Sequence, residues 1–255
     1  MPSTSQRRTE ILEFIQQHGK GEVAYFTDHY EVSAVTIRND LNYLEKKGCV
    51  TRCYGGATLN NQFTFDRPLN DKKQLHREIK SLLGKRAAQL IEDGDTIIID
   101  SGSTTEQVAL NLQGKKNLIV MTNGINVAYQ LANQPDIEVM VSGGQMRENS
   151  YSLHGGCGES LLNHYRFNKL FLGVDGFDKQ AGITTPHSGE AAINRNMINV
   201  AQQVIAVTDS SKFDRQSYCL IAKAEDIDVL VTDSGIPDEY VEQLTQLGVE
   251  IIIVD

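Results

Sequence analysis

The chain has 255 residues, of which 40% are hydrophobic and 22% are charged, and its formal net charge is −9. This balance excludes global disorder and fits one large domain with a small appendage, or two ordinary domains. No apolar run approaches the roughly 20 residues that span a bilayer, and the N-terminus lacks a signal peptide's apolar region, which indicates a cytoplasmic protein without a membrane partner. The cysteines lack zinc-ligand spacing, so we expect free thiols and no metal site. They are Cys49, Cys53, Cys157 and Cys219.

The negative charge is unevenly distributed along the chain. Residues 1–57 hold seven Lys or Arg and seven Asp or Glu, so the whole negative excess lies in the remainder. A neutral segment can still bind nucleic acid if its cations are gathered on one face. The geometry of the first residues therefore decides whether DNA is a plausible partner.

Apolar residues at helical spacing predict three helices in this segment. They are Ser5–His18, Glu22–Tyr30 and Val35–Lys47, the last ended by Gly48. Ser33 is a suitable N-cap for the third helix, because its hydroxyl can accept a bond from a free N–H of the first turn. Ile37, Leu41 and Leu44 fall on one side of that helix and are expected to face inward.

The opposite face of the third helix carries side chains suited to DNA. They are Val35, Thr36, Arg38, Asn39, Asn42, Tyr43 and Lys46. Amides and guanidinium groups bond to base edges, and apolar groups contact the thymine methyl. A solvated helix face is the commoner explanation of such a pattern. The scarcity of acidic residues, the short turn before the helix and the following CVTRCYGGA favour DNA, with a two-stranded wing whose Arg52 contacts a phosphate.

The run VSAVTIRNDLNYLEKKGCVTRCYGGA resembles the winged helix-turn-helix signature of the DeoR family of bacterial sugar-catabolism repressors. The family pattern has a VS, a TIRRDL, a Leu-Glu pair, a Gly, an Arg and a final GGA. Asn39 stands where the family has its second arginine, which should alter the preferred bases without abolishing binding. The resemblance implies that residues 1–57, including Ser33 and the face above, bind double-stranded operator DNA.

Beyond residue 57, the pattern changes to a linker and a larger domain. Residues 58–71 have no periodicity and contain Pro68, which predicts a linker. A helix is expected at Lys72–Glu92, followed by alternating strands and helices. The predicted strands are Thr96–Asp100, Leu118–Thr122, Glu138–Val141, Leu170–Val174, Val204–Thr208, Val229–Thr232 and Glu250–Val254. The predicted helices are Thr105–Leu112, Asn126–Asn133, Glu159–His164, Ser188–Ala201 and Asp238–Leu247. Apolar strands bounded by helices predict an α/β fold over residues 72–255, with a mainly parallel sheet covered on both faces.

Ligands of such sheets bind at the carboxyl ends of the strands, and several of these ends are polar. The stretch TIIIDSGSTT places Asp100, Ser101, Gly102, Ser103, Thr104 and Thr105 between a strand and a helix start. Small hydroxyl residues and free N–H groups at a helix start suit a phosphate, although Ser103 or Thr104 acting only as a helix cap is the simpler alternative. The other polar or glycine positions at strand ends favour the ligand site. They are Asn123, Gly143, Gly144, Asp175 and Lys212.

Residues 75–255 also resemble the effector domain of the DeoR family, whose fold is shared with ribose-5-phosphate isomerase, glucosamine-6-phosphate deaminase and the coenzyme A transferases. The resemblance implies that the Ser101–Thr105 loop binds the phosphate of a sugar phosphate. Asp175 and Lys212 would then contact hydroxyls or the phosphate, and Asn123 would line the floor. It also adds Glu190 to the effector site.

Two further details come from the same resemblance. Arg195 lies five residues after Glu190 in GEAAINRNMI, and Asn194 replaces the family's usual lysine. The stretches HGGCGESLL and GITTPHSGE are nearest to regulators of amino-sugar (N-acetylgalactosamine) and hexitol (galactitol, glucitol) operons. Of the histidines, His154 lies nearest the strands of the site.

An enzyme is the alternative interpretation, in which Asp175, Glu190 and Lys212 serve a sugar-phosphate isomerase or deaminase. No motif makes either carboxylate a clear base, and an enzyme has no need of a winged helix. A domain that only oligomerises is disfavoured by the polar strand ends. We therefore expect a repressor without catalytic residues or cofactor, acting as a homodimer or tetramer and responding to a phosphorylated sugar.

Overall fold

Residues 4–46, 50–59 and 66–255 are described by the computed structural model, and the chain divides into two units, Met1–Phe65 and Asp66–Asp255. The predicted helix end at Lys47 and Gly48, the first predicted wing residue Cys49 and linker residues 60–65 lie outside the described residues. The division into 1–57, 58–71 and 72–255 stays a prediction.

The first unit is a small helical domain with a three-stranded antiparallel sheet. Its elements are α1 (Thr4–His18), β1 (Lys20–Glu22), α2 (Val23–Tyr30), α3 (Ala34–Lys46), β2 (Val50–Cys53) and β3 (Gly56–Leu59). The sheet order is β1-β3-β2. Apolar residues from all three helices and from the sheet form its core. They are Ile11, Ile15, Val23, Phe26, Tyr30, Ile37, Leu41, Leu44, Val50 and Ala57.

The predicted two-stranded wing is present as the antiparallel pair of β2 and β3, but the sheet has a third strand, β1, that was not predicted. β1 pairs with β3, with Gly21 opposite Ala57. A β-carbon on Gly56 would lie 2.2 Å from the carbonyl oxygen of Gly21, so the close pairing requires glycine. Three residues between two helices are too short to show an alternating pattern, which is why the sequence did not reveal β1.

The second unit alternates strands and helices along the chain. Its helices are α4 (Leu69–Gln74), α5 (Arg77–Ala88), α6 (Thr105–Leu110), α7 (Ile125–Leu131), α8 (Gly156–Leu162), α9 (Ser188–Val200) and α10 (Asp238–Gln246). The strands of its main sheet are β4 (Thr96–Ile99), β5 (Leu118–Thr122), β6 (Ile137–Val141), β9 (Phe167–Gly173), β12 (Ala201–Val207), β14 (Val229–Asp233) and β15 (Glu250–Val254). Its short strands are β7 (Gln145–Met146), β8 (Leu153–His154), β10 (Gly176–Asp178), β11 (Gly182–Thr185) and β13 (Cys219–Ala222).

The main sheet has seven parallel strands in the order β15-β14-β12-β9-β4-β5-β6. All seven strands predicted from the sequence belong to it. Alternate residues enter two separate cores: Ile98 belongs to the core that includes residues of α9 and α10, whereas Ile97 and Ile99 belong to the core that includes residues of α5, α6 and α7. The predicted parallel sheet with both faces covered is therefore confirmed.

The strand order reverses between β4 and β9. From β4 the chain continues outward through β5 and β6, then returns to place β9 on the other side of β4. Loops after two such strands diverge to opposite faces and leave a crevice at their carboxyl ends. This topology fixes where a ligand site is expected.

The helix predicted at Lys72–Glu92 is instead two helices, α4 and α5. His76 adopts a left-handed conformation with φ of 53° between them, which interrupts the hydrogen bonding of a continuous helix. The linker prediction also included Leu69, where α4 begins. The short strands β7, β8, β10, β11 and β13 were missed because two to four residues carry little periodic signal.

Candidate functional site

The face of α3 predicted to bind DNA is exposed on the first unit. Val35 is 62% exposed, and Arg38, Asn39, Asn42, Tyr43 and Lys46 are also exposed, with Thr36 half-buried. Ser33 caps the helix as predicted, since its Oγ accepts a hydrogen bond from the Thr36 N–H at 3.2 Å. The predicted inward residues Ile37, Leu41 and Leu44 are buried.

Both acidic residues of α3 are bound within the first unit. Asp40 is buried, and its two oxygens accept from Arg7 Nε and Arg8 Nε, each at 2.7 Å. Glu45 Oε1 accepts from the Arg52 backbone N–H at 2.8 Å. Both carboxylates of α3 are therefore paired. The exposed face of the helix keeps the positive charges of Arg38 and Lys46.

Arg52, predicted to contact a phosphate, is bonded to the first unit itself. Its Nη1 donates to Asn42 Oδ1 at 2.6 Å and to the Arg38 carbonyl at 3.2 Å, and its Nε donates to the Gly56 carbonyl at 3.1 Å. One planar guanidinium thus ties the wing to the exposed side of α3. The predicted phosphate contact stays a prediction, and these bonds give Arg52 a positioning role.

The second unit has a pocket at the carboxyl ends of β4 and β9, where the strand order reverses. Its empty volume is about 630 Å³, including the open space at its mouth. The residues that line it are Leu69, Lys72, Lys80, Asp100, Ser101, Gly102, Ser103, Thr104, Ser150, Gly173, Val174, Asp175, Thr185, Glu190, Asn194, Lys212 and Ile221. Eight of the eleven residues predicted for the effector site are among them.

Three lysines converge on this pocket. Lys72 Nζ forms an ion pair with Asp175 Oδ1 at 2.6 Å, and the Nζ of the buried Lys80 donates to the Lys72 carbonyl. Burial, together with the charges of Lys212 and Lys72, lowers the pKa of Lys80 to about 8. The Lys212 side chain also lines the pocket, and its ammonium makes no hydrogen bond or ion pair within the described residues, whereas its backbone N–H donates to the Asp209 carbonyl at 3.1 Å. The proximity of these cations favours an anionic ligand.

Asp100 and Glu190 form an acidic wall of the same pocket. Burial, together with the charge of Glu190, raises the pKa of Asp100 to about 7. Asp100 Oδ2 accepts from Gly173 N at 3.2 Å and from Asn194 Nδ2 at 3.1 Å, while its Oδ1 makes no hydrogen bond of good geometry.

Glu190, by contrast, has four donor groups within hydrogen-bonding distance, although the single proton of the Thr185 hydroxyl can go either to Glu190 or to Asp175. Its donors are Arg147 Nη1 at 2.9 Å, Ser152 Oγ at 2.6 Å, Thr185 Oγ1 at 3.3 Å and Ser150 Oγ. The Thr185 hydroxyl also lies 3.1 Å from Asp175 Oδ2. Burial alone would raise the pKa of Asp175, but Lys72 and Lys212 outweigh it and hold that pKa below the usual range.

Three predicted effector residues lie behind the pocket rather than in its lining. Thr105 is buried, and its hydroxyl donates to the Gly102 carbonyl at 3.3 Å. Asn123 is buried and positions the loop, because its Oδ1 accepts from Ser101 N at 2.7 Å. Gly144 is packed against the His154 backbone, where a β-carbon would lie 2.4 Å from the carbonyl oxygen. These residues support the site instead of forming its surface.

The two remaining candidates also lie outside the pocket lining. The ring of His154 packs against that of His187 with centroids 4.8 Å apart. Arg195 donates to the Leu220 carbonyl. Neither residue lines the pocket.

Sequence inspection missed several pocket residues, chiefly Lys72, Lys80, Ser150 and Thr185. Lys72 and Lys80 were hidden because they precede the first strand, far from any strand end. Thr185 lies in the GITTPHSGE stretch that was singled out for family resemblance, so that stretch carried the available signal. Glycine at position 102, where φ is 146°, fits the need for a backbone that other residues rarely adopt.

Among the described residues, no cluster of His, Cys, Asp and Glu is suited to hold a metal ion. Within the same ranges, no helix has the length and apolar character needed to cross a membrane. Cys53, Cys157 and Cys219 are free thiols, as expected.

Comparison with known proteins identifies both units. Residues 7–63 match the DeoR-like helix-turn-helix domain, and residues 75–234 match the DeoR C terminal sensor domain. The chain is 41% identical to a putative aga operon transcriptional repressor of Escherichia coli O157:H7, covering 98% of this chain and 94% of that protein. It is 32% identical to the transcriptional repressor GlcR of Bacillus subtilis, covering 98% and 96%. It is 29% identical to the glycerol-3-phosphate regulon repressor of Escherichia coli K12, covering 97% and 98%.

Solved structures are more distantly similar. A probable sor operon regulator from Shigella flexneri has a TM-score of 0.44 at 15% identity, covering 68% of this chain and 90% of that one. Ribose 5-phosphate isomerase A from Methanocaldococcus jannaschii has a TM-score of 0.41 at 15% identity, covering 54% of each chain. On the two domain matches and the full-length relatives, the chain belongs to the DeoR family of transcriptional regulators of sugar operons.

Proposed function

We propose that this protein is a cytoplasmic repressor of a carbohydrate-utilisation operon that binds operator DNA and responds to a phosphorylated sugar. The observation that carries the effector half is the pocket of the second unit, where three lysines and a loop of small hydroxyl residues meet a wall of carboxylates. The DNA half rests on the exposed face of α3 and on the helix-turn-helix match.

The pocket has two chemically different sides, which fits a ligand with an anionic group and several hydroxyls. Lys72, Lys80 and Lys212 supply positive charge beside the Ser101–Thr104 loop. The helix that follows this loop has only six residues, so we assign the attraction for phosphate mainly to the lysines. Asp100, whose Oδ1 makes no hydrogen bond of good geometry, presents an acceptor to a sugar hydroxyl.

The positions proposed to bind effector remain those inferred from the sequence, with the lining residues in direct contact and Thr105, Asn123 and Gly144 behind them. The positions proposed to bind DNA likewise remain Ser33 and the exposed face of α3, with Arg52 holding the wing. Sugar phosphates are mainly dianionic near neutral pH, so each bond from a lysine to phosphate is charge-assisted.

An isomerase or deaminase using Asp175, Glu190 and Lys212 is less well supported. Glu190 already accepts hydrogen bonds from Arg147, Ser150 and Ser152, which use most of the lone-pair sites of a carboxylate. Asp175 is held in an ion pair with Lys72. Neither acid is thus free to abstract a proton, and the similar full-length proteins are named as regulators.

We propose further that the protein acts as a homodimer or tetramer. One recognition helix contacts few base pairs, and paired half-sites are how helix-turn-helix proteins gain selectivity. Sedimentation of the full-length protein, alone and with operator DNA, tests this: a monomer that binds its operator singly contradicts it.

The test of the effector uses a panel of six phosphates: N-acetylgalactosamine 6-phosphate, galactosamine 6-phosphate, galactitol 1-phosphate, glucitol 6-phosphate, glycerol 3-phosphate and inorganic phosphate. A ligand that binds only the native state raises the melting temperature. We expect at least one sugar phosphate to raise the Tm of the full-length protein and to change its affinity for an operator selected from random duplexes. Absence of any shift, or turnover of a sugar phosphate, would contradict the proposal.

A further inference from the structure

The start of the second unit forms part of the pocket wall. We call residues 66–74 the entry segment, since Asp66 directly follows Phe65, the last residue of the first unit. The segment includes α4 and ends before the left-handed His76. Leu69 and Lys72 of this segment line the pocket.

One tether joins the entry segment to the basic side of the pocket. Lys72 Nζ contacts Asp175 Oδ1 at 2.6 Å, and both side chains are largely buried, with 17% and 21% exposed. Lys80, on the next helix, donates to the Lys72 carbonyl. Lys72 is thus held at its side chain by Asp175 and at its backbone carbonyl by Lys80.

A second tether joins the entry segment to the acidic wall. Arg147 donates from Nη1 to Glu190 at 2.9 Å and from Nη2 to Asp66. Asn149 Nδ2 donates to Asp66 Oδ2 at 2.9 Å, and the Leu69 N–H donates to the Asn149 carbonyl at 2.6 Å. A single arginine therefore connects a pocket carboxylate to the first residue of the second unit.

A phosphate beside the lysines would act on the first tether. The Lys72 ammonium has three donors, and a dianion competes with the Asp175 carboxylate for them. A phosphate and the Asp175 carboxylate that both bond to the buried Lys72 ammonium lie close enough to repel each other strongly. They cannot therefore both keep their best hydrogen-bond geometry with Lys72. A ligand shifts an equilibrium only by its differential affinity for two states, and this competition provides that difference.

We propose that Lys72 is a further effector-binding residue and that the entry segment carries the effector signal toward the DNA-binding unit. Phosphate draws Lys72 from Asp175, and α4 moves with it, so the Asp66–Arg147–Glu190 link changes at the point where the chain continues into the first unit. This proposal rests on the proposed function, because it assigns the regulation of the same pocket.

The contribution of Lys72 to binding is tested by calorimetric titration of full-length protein with inorganic phosphate and with the panel member that raises the Tm most. Lys72→Ala should weaken binding of that panel member about 10- to 100-fold, because a charge-assisted bond is lost. The matched control is Lys73→Ala, since Lys73 pairs at 2.8 Å with Glu106, and neither residue lines the pocket. Equal affinities of the two variants would overturn the role of Lys72.

The signalling role is tested with Asp66→Ala, which removes the acceptor of Arg147 and Asn149 without touching the pocket lining. The matched control is Asp71→Ala, because Asp71 is exposed on α4 and its side chain makes no hydrogen bond or ion pair within the described chain. Asp66→Ala should bind the same panel member within about threefold of wild type, yet lose the effect of that compound on operator affinity, normally about 5- to 150-fold.

Hydrogen exchange on wild-type protein provides a readout that does not depend on any variant folding. The same panel member should change the exchange of amides 66–75 as well as that of the 101–105 loop. The signalling proposal alone is overturned if wild-type protein responds to the compound and Asp66→Ala responds equally. It is also overturned if wild-type protein responds while the exchange of amides 66–75 stays unchanged. Wild-type protein that binds no panel member overturns this proposal together with the proposed function.

Discussion

The two units differ in how completely their buried polar atoms are paired. In the first unit, Asp40 is 1% exposed and each of its oxygens is bonded to an arginine. In the second, several buried polar atoms make no hydrogen bond of good geometry, and two of them, on Asp100 and Asn194, belong to residues that line the pocket. Among described residues, all seven such side chains belong to the second unit: Asp100, Asn123, Asn126, Asn194, Asp209, Ser217 and Thr232.

This difference distinguishes the first unit, which presents a fixed surface, from the second unit, which contains the pocket. Buried polar atoms are normally paired, and leaving one unpaired costs about 1–3 kcal/mol. The first unit is internally satisfied and needs only to present a fixed helix face. The second keeps Asp100 and Asn194 in a pocket where a ligand's hydroxyls or amide would supply the missing bonds. The predictions below test this contrast.

The largest expected effect is on the stability of the first unit. Asp40→Asn should destabilise it by about 3–5 kcal/mol, because Arg7 is left buried without a charged partner. Hydrogen exchange of α1 and α3 amides in the full-length protein measures this directly. The control is Glu22→Gln, whose ion pair with Lys20 is exposed. A loss no larger than the control's would show that the arginine pairs do not stabilise the unit.

Asp100 should make the stability of the second unit depend on pH. Because its folded pKa is raised to about 7, its favourable contribution is complete below the unfolded pKa of about 4 and is lost as pH rises through 7. The second unit should therefore lose up to about 4 kcal/mol between pH 4 and pH 8 on account of this group. Asp100→Asn should remove that part of the slope, measured by urea unfolding at several pH values, and an unchanged slope would contradict it.

Lys212→Ala should weaken sugar-phosphate binding by about 1.5–3 kcal/mol, because a charge-assisted bond to phosphate is lost. Affinity for operator DNA without effector should stay at the wild-type value. Lys223→Ala is the matched control, since Lys223 pairs with Glu225 on the surface and does not line the pocket. Calorimetric titration with the panel measures the difference, and equal affinity in both variants would remove Lys212 from the site.

Arg38→Ala should cost about 1–3 kcal/mol of operator affinity and relax the preference for one base pair, as expected for an arginine that bonds to guanine. Fluorescence anisotropy with the selected operator and single-base variants measures both effects. Lys20→Ala, on the exposed β1 strand, is the control. A uniform loss across all sequences would assign Arg38 to the phosphate backbone instead.

The smallest effect concerns Arg52 and decides between its two roles. A phosphate contact would survive Arg52→Lys, whereas a lysine cannot bond Asn42 and the Arg38 and Gly56 carbonyls together. We expect Arg52→Lys and Arg52→Ala to lose operator affinity equally, by about 1 kcal/mol. Restoration by lysine, with a salt dependence equal to wild type, would favour the phosphate contact.

Regular elements with strong periodicity were predictable from the sequence. The seven sheet strands follow from apolar runs bounded by helices, and the inward side of α3 follows from helical spacing, because both patterns extend over several residues. β1 was not predictable, since its pairing depends on the close approach of Gly21 and Gly56, which are distant in sequence.

The site was predictable where its residues follow strands. The Ser101–Thr104 loop, Asp175 and Lys212 line the pocket because parallel strands end at one edge of a sheet. Lys72 and Lys80 reach the pocket only through the packing of α4 and α5, which no local pattern records. The internal bonds of Arg52 were likewise invisible, because they join residues ten and fourteen positions apart through side-chain geometry.

The central claim is that one chain binds operator DNA through α3 and a sugar phosphate through the pocket of the second unit, with the two coupled. The most direct measurement is the anisotropy of a labelled operator bound to full-length wild-type, Arg38→Ala and Lys212→Ala protein, titrated with the panel member that raises the Tm most. We predict that operator affinity of the wild type changes at least about fivefold, the lower end of typical coupling. Lys212→Ala should bind operator normally without responding, and Arg38→Ala should bind operator poorly while its Tm still rises. A wild-type complex indifferent to every panel member, or a Lys212→Ala complex that responds at wild-type concentrations, would contradict the account.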